Sequence, residues 1–378
     1  MKSGPSDDSR DQAIPFGRLA LIAAISALLG GVAAIVMVAF MLWLCNRTWV
    51  VDDADSHGIS ELQSSRLGGV AVFLGVLAFF AALEWAAGSH GAYLGMGMSS
   101  IEHYPDYIGF AFLIALVGLW DDVVSLSLPT TRLMLVIAIS TLALVNDAVR
   151  MMPSAYEWLP FGLNNTMVLT IAGVVIVTGF VNAGNMADGA NGLLCIVGIS
   201  FFISLMHVNP VSFAPLLIIA LIIFVVFNVS TGRIFLGDFG AYGLSALIAF
   251  GSLDLYASGL VSLWFLASLL AYPCVEMIRV IIVRVFRGAS PFHSSNEHLH
   301  NYLYRVLRKR GWNLTVANSI TGCSLGIVSA LLPASLVLFG VFDIGGTTFW
   351  GLYFAIYLVI HVSLVIQLER VLNAKWAD

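Results

Sequence analysis

The chain has 378 residues, of which 59% are apolar and only 10% charged, with a net charge of −5 and a mean hydropathy of +0.93. A soluble domain carries about 25% charged residues, so this composition excludes a water-soluble globular protein and points to a polytopic membrane protein. The net charge says little by itself, because membrane proteins are read from where their charges sit.

Residues 1–18 form a polar, acidic tail, unlike the short basic lead of a cleaved signal. A membrane helix needs roughly 20 mostly apolar residues. Runs of that kind fall near 19–44, 68–88, 107–120, 132–149, 166–181, 192–208, 211–228, 239–257, 259–285, 314–338 and 347–368. The expected fold is all-α: a polytopic membrane protein of about 11 transmembrane helices, a single domain over 19–368 with a tail at 369–378. Alternating sidedness places Arg47, Arg66, Arg132, Arg233, Arg279, Arg284, Arg287, Arg305, Arg308, Lys309, Arg310, Arg370 and Lys375 on one side. Lys2, Arg10, Arg18 and Arg150 fall on the other. The richer side is cytoplasmic by the positive-inside rule, which puts the N-terminus outside and the C-terminus in the cytoplasm. Cys45, Cys195, Cys274 and Cys323 lie in or beside apolar runs without metal-ligand spacing and read as packing residues.

The same sorting brings the polar clusters to the cytoplasmic side. In GLWDDVVSL, Asp121 and Asp122 close a helix where its dipole is negative, a conflict of several tenths to about 1 kcal/mol each. A divalent cation would relieve it; solvated interfacial acids are the plainer reading. In VNAGNMADGANG, Asn182, Asn185 and Asp188 fan over about 120° of one helix side, and Asn191 lies beyond an expected break at Gly189. Amides beside a carboxylate suit a nucleobase, ribose or acetamido group, or else small-residue helix packing. In FNVSTGRIFLGDFGAYG, Asn228 ends an inward helix, Arg233 supplies a cation, and Asp238 starts the returning helix as an N-cap or a ligand between Gly237 and Gly240. In SPFHSSNEHLHNYLYRVLRKR, His293 precedes His298 and His300, which would point to opposite faces of a helix, whereas an extended or loop conformation aims both into one cavity. The segment from Leu299 reads as a basic amphipathic interfacial helix. Polar groups at helix ends on one face favour a membrane enzyme. A transporter or flippase would keep them at mid-span, where Glu276 and Arg279 are the good candidates and read more simply as an intrahelical pair.

With these four segments in hand, the chain resembles the polyprenyl-phosphate N-acetylhexosamine-1-phosphate transferase family, relatives of the phospho-MurNAc-pentapeptide translocase. GLWDDVVSLSLPTTRL, NAGNMADGANGL, FNVSTGRIFLGDFGAYGLS and SPFHSSNEHLHNYL occur in family order, and the likeness covers roughly residues 45–330. The His-Leu-His form and the Ser-Pro-Phe lead-in look closer to the GlcNAc-transferase, O-antigen initiating branch than to the peptidoglycan enzyme. The resemblance implies transfer of a sugar 1-phosphate from a UDP-N-acetylhexosamine to undecaprenyl phosphate with Mg²⁺ (Mn²⁺ as a substitute), giving UMP, in the bacterial inner membrane. It implies that Asp121, Asp122 and Asp188 are catalytic, that Asp238 and Asp121 hold the metal, and that Asn182, Asn185, Asn191, Asn228, Arg66, Arg233, His293, His298 and His300 contact substrate. Membrane lipid is an expected partner, a homodimer is left open, and nucleic acid is not expected.

Two departures stand out. Relatives usually carry Asp where this chain has Asn191. Their first cytoplasmic loop, thought to help bind the lipid phosphate, reads like D-x-P-N-x-R-S-x-H. Here it keeps Asp52, Arg66, Gly68 and Gly69 but shows His57 for the Arg and Ser60 for the His. A divergent or inactive member is the alternative that these changes raise.

Overall fold

The computed structural model describes residues 16–46, 64–94, 105–124, 128–149, 153–160, 162–209, 213–288, 290 and 297–373. Asp52, His57, Ser60 and His293 lie outside them. Fourteen α-helical segments follow in order: α1 Phe16–Cys45, α2 Gly68–Leu94, α3 Tyr107–Val124, α4 Pro129–Val145, α5 Thr166–Ala187, α6 Leu193–Val208, α7 Ala214–Thr231, α8 Gly237–Ala257, α9 Leu263–Leu269, α10 Ala271–Phe286, α11 Leu299–Lys309, α12 Leu314–Gly326, α13 Leu332–Leu338 and α14 Thr347–Asn373. Each apolar run named above overlaps one or more of these helices, and the described residues contain no β-strand longer than a single bridge.

Length and hydropathy qualify six helices as membrane spans, or seven when the bent α9–α10 pair is counted as one. Four shorter apolar helices accompany them, at Gly30–Cys45, Gly68–Ala82, Pro129–Val145 and Leu193–Val208. Local chemistry explains the two interruptions. In α1, Gly31 takes φ 56°, ψ −137°, a conformation open to glycine, and the helix kinks there. The run predicted at 259–285 bends by 78° at Leu270. Pro273, which has no N–H to donate, is tolerated because it falls in the first turn of the new helix. A π-helical stretch, Ile327–Leu331, joins α12 to α13 just before Pro333.

Burial separates a centre from a rim. Gly237–Ala257 is 72% buried in its span window, and Thr347–Asn373 only 17%. Short α6 is buried all round from Leu193 to Phe202, which is why its sequence is apolar on every face. The close approach of α2, α3 and α8 depends on missing side chains. A Cβ on Gly69 would overlap Gly240, and one on Gly118 would overlap the backbone carbonyl of Asp238. The 64–69 segment is fastened to the 232–236 segment by hydrogen bonds from the N–H groups of Ser65, Gly68 and Gly69 to the carbonyls of Arg233 (3.0 Å), Phe235 (2.9 Å) and Leu236 (2.7 Å). The Phe235 N–H returns one to the Ser65 carbonyl at 2.8 Å.

Gly118→Val forces a branched side chain into this crossing and should cost on the order of 2 kcal/mol, read as a lower unfolding midpoint in detergent. Gly109→Ala is the control: a Cβ there meets nothing within 4 Å, so its midpoint should hold or rise.

Candidate active site

The start of α8 organises the polar residues. Gly237 takes φ 72°, and a Cβ there would overlap the Arg66 carbonyl, so the chain turns into the helix with no room for a side chain. A helix beginning inside a protein leaves its first N–H groups without partners. Asp122, on α3 and 6% exposed, supplies them: its carboxylate accepts the N–H of Asp238 at 3.1 Å and of Phe239 at 2.9 Å. Arg66 lies close enough to act on Asp122 electrostatically. The N-cap role expected for Asp238 therefore belongs to Asp122. The helix conflict expected at Asp121 and Asp122 is resolved within the protein, by the positive end of α8 for Asp122 and by a guanidinium for Asp121.

That guanidinium is Arg132 of α4, whose Nη1 pairs with Asp121 and lies 3.3 Å from Asp238 Oδ2. Asp188 caps the C-terminal end of α5 and completes the cluster. Desolvation holds its carboxyl well above the usual range, the charges of Asp238 and Asp122 push the same way, and the Gly237 N–H opposes them. Asn182 and Asn185 lie half-buried on the preceding turns of α5, with Asn182 Nδ2 donating to the Thr178 carbonyl at 2.8 Å.

Asn191 faces inward. It is 2% exposed; its N–H donates to Asn318 Oδ1 (3.0 Å) and its Nδ2 to Ser319 Oγ (3.1 Å). Its Oδ1 accepts from Asn318 at 3.3 Å and from Asn228 at 3.4 Å. Asn228 also donates to the Ile234 carbonyl at 2.6 Å. These two amides join the α5–α6 turn to α7 and α12 rather than facing the carboxylates. The turn itself uses Gly192 at φ 79°. The Arg233 carbonyl takes the Ser65 N–H, and its charge acts on the Cys45 thiol.

His298 and His300 do meet, because His298 is extended at the N-cap of α11 and His300 lies in its first turn. Their rings stack in parallel, 5.2 Å between centroids with 2° between planes. A Cβ on Gly189 would lie 2.6 Å from His300 Nε2, which places this ring against the Asp188 turn. Burial, then the His298 charge, push the His300 ring down to about 3.

Among the described residues, no group of three or more His, Cys, Asp or Glu is arranged to hold a metal. Asp121 and Asp238, however, form a pair of hard oxygen donors already spanned by one cation. That donor set fits Mg²⁺, which is usually held by one or two carboxylates plus substrate phosphates. Arg132 lies in the PTTRL stretch, and no sequence pattern marks it as a partner of the carboxylates. Its signal is its place just past Pro129, where a new helix starts beside the Asp pair.

Comparison with known proteins places this geometry. Residues 105–256, which hold Asp121, Asp122, Arg132, Asp188 and Asp238, match the model for glycosyl transferase family 4. This segment is similar to that family. The chain is 25% identical over 333 residues, 79% of each chain, to the decaprenyl-phosphate N-acetylglucosaminephosphotransferase of Mycobacterium leprae. It is also 25% identical over 344 residues, 86% of each, to a probable undecaprenyl-phosphate N-acetylglucosaminyl 1-phosphate transferase of Bacillus subtilis. A phospho-N-acetylmuramoyl-pentapeptide-transferase of Deinococcus radiodurans is 34% identical over 107 residues, 28% of this chain and 32% of its own. The family region thus coincides with the carboxylate cluster, and the longer likenesses are to the N-acetylglucosamine enzymes.

Asn191→Asp removes the donor that meets Ser319, whose own hydroxyl already donates to the Val229 carbonyl at 2.8 Å. The unmatched contact should lower stability by about 1–3 kcal/mol in a denaturation experiment. The His300 ring gives a second expectation. Unfolded protein takes up a proton below the ordinary value of 6.5, which the folded ring does not accept until about 3. Stability should therefore drop on acidification through that window, on the order of 1.5 kcal/mol between pH 6.5 and 5, and His300→Asn should flatten the profile.

Proposed function

We propose that the protein transfers an N-acetylhexosamine 1-phosphate from a UDP-sugar to undecaprenyl or another polyprenyl phosphate, the initiating step of a lipid-linked surface polysaccharide such as an O-antigen. The observation that carries this reading is an apolar cleft whose wall adjoins, along α8, the charged residue Asp238. A cleft of about 330 Å³ lies among α2, α3, α7 and α8, lined by Val72, Phe112, Leu217, Phe239 and Gly240 among others. Phe239 and Gly240 directly follow Asp238. Such a site accepts a molecule that is ionic at one end and hydrocarbon at the other, which describes a polyprenyl phosphate. The names of the relatives specify that acceptor class and an N-acetylglucosamine group.

The chemistry asked of the residues is modest. A phosphate monoester has its second pKa near 6, so close to neutral pH it is already mostly a dianionic nucleophile, and a general base adds little. An oxygen of the lipid phosphate attacks the β-phosphorus of the UDP-sugar, the bond to the bridging oxygen breaks, and UMP leaves. Bringing a dianion to a diphosphate is the harder task. Asp121 and Asp238 would hold Mg²⁺, with Mn²⁺ as a substitute; when bound, the metal neutralises charge on the reacting phosphates. Arg132 provides a second cation between those carboxylates, and the Arg66 charge acts on Asp122 beside them. Asn182 and Asn185, beside Asp188, offer donors and acceptors to the nucleotide or the acetamido group. His298 and His300 stand on the far side of the Asp188 turn, where a diphosphate would lie. Eleven spans, with the C-terminus and this site on the cytoplasmic face of a bacterial inner membrane, complete the proposal; the seven candidate spans and four shorter apolar helices are compatible with that number.

Purified protein incubated with undecaprenyl phosphate, Mg²⁺ and a panel of UDP-sugars should release UMP with at least one N-acetylhexosamine donor. Asp238→Asn should reduce that release by at least a hundredfold, roughly the loss of 3 kcal/mol of electrostatic stabilisation. Near-normal turnover in the variant would remove Asp238 from the metal site, and silence of the wild type across the panel would turn the argument towards a transporter or an inactive member.

A further inference from the structure

The reaction proposed above leaves one buried ionic network unused. Glu276 is 3% exposed in α10, within a helix pair long and apolar enough to cross a membrane. A carboxylate there costs several kcal/mol unless it is paired and hydrogen-bonded. Both of its oxygens are engaged. Oε1 accepts the Leu299 N–H at 3.0 Å, pairs with the Arg279 guanidinium and faces His298 Nδ1 at 3.4 Å. Oε2 accepts Arg279 Nε at 3.2 Å and lies 2.8 Å from His361 Nε2. Arg279 also donates to the Glu297 carbonyl, which fixes the chain just before α11.

Two of these contacts reach beyond a simple intrahelical pair. Leu299 is the first residue of α11, so Glu276 caps that helix as Asp122 caps α8. His361 belongs to α14, is 2% exposed, and has its Nδ1 3.3 Å from the Tyr357 hydroxyl. A neutral ring that donates from Nε2 to the carboxylate must accept at Nδ1, and the Tyr357 hydroxyl is placed to supply that hydrogen. His300 repeats the pattern with Tyr272, whose hydroxyl is 2.9 Å from its Nδ1. With that hydrogen supplied by the tyrosine, Nε2–H of His300 is the donor presented to the Asp188 turn. Glu276 thereby links a buried histidine of α14 to the start of the helix that carries the stacked pair.

We infer that Glu276 and His361 are positioning residues: without touching substrate, they fix the start of α11 and the ring planes of His298 and His300, so that His300 Nε2 faces the Asp188 turn. The inference rests on the proposed reaction for what the histidine pair does, but the placement is independent of it. His361→Gln keeps a donor near the place of Nε2, whereas His361→Ala removes it.

The test uses full-length protein in lipid nanodiscs and has two arms. In the first, ¹⁵N-histidine spectra are compared for wild type, His361→Ala and His361→Gln. The His298 and His300 resonances should shift in His361→Ala and return close to wild type in His361→Gln. In the second, His361→Ala should lower kcat for UMP release about 10- to 100-fold, a range drawn from outer-shell residues that orient histidine ligands. His361→Gln should restore it to within about threefold, and the effect of His361→Ala should largely vanish in a His298→Ala background. Unmoved His298 and His300 resonances in His361→Ala would overturn the inference. So would His361→Gln behaving like His361→Ala in both arms, the sign of a packing role alone. If the wild type turns over no UDP-sugar, the proposed reaction fails and the spectral arm decides this inference by itself.

Discussion

The structure depends on what happens where a helix begins inside the bilayer-spanning fold. The first N–H groups of such a helix have no intrahelical acceptors, and leaving them bare in a dry interior is costly. At α8 the carboxylate of Asp122 reaches from α3 to accept two of them. At α11 the carboxylate of Glu276 reaches from α10 to accept another. Each acid satisfies a backbone end and is itself stabilised by the positive pole it faces. Because Asp122 does this work, Asp238 is left with its side chain free of the cap and turned towards Arg132 and Asp121. One capping contact thus divides a run of chemically similar acids into a structural member and a pair that shares one guanidinium.

Charge at the site is balanced by a similar division. Asp121 and Asp238 share the Arg132 guanidinium, so two carboxylates that would repel each other at close range are held together before any substrate arrives. The crossing of α2, α3 and α8 keeps them there, since Gly69, Gly118 and Gly240 allow backbone to approach backbone and leave little freedom to slide. The apolar cleft opens from the same crossing, and this is why a polar centre and a hydrocarbon surface are neighbours in one small region.

Much of this was readable from the sequence, and the limits have physical causes. Apolar runs locate the helices because the bilayer imposes their length and greasiness. The bend at Leu270 was missed because Pro273 in the first turn of a helix leaves the hydropathy of the run unchanged. Asp121, Asp122, Asp188 and Asp238 were legible as acids out of place, but their division of labour was not. It is set by which helix terminus lies opposite each, a fact of tertiary packing. The bonds that Asn191 makes to Asn228, Asn318 and Ser319 were not legible, because the last two are ordinary polar residues in an apolar run far along the chain. His361 gave no signal at all, being a lone histidine in a span, and a buried histidine announces itself only through the partner across from it.

That partner carries a consequence in time. Glu276 and His361 are 85 residues apart in the chain, and at typical synthesis rates the acid is made roughly ten seconds before the imidazole that completes its coordination. Until α14 enters the membrane, one oxygen of a buried carboxylate has only Arg279 for company, and the helix that bears the stacked histidines rests on an unfinished support. Maturation of the site is therefore tied to arrival of the last span, and a nascent chain holding all four aspartates still lacks the piece that steadies their histidine neighbours.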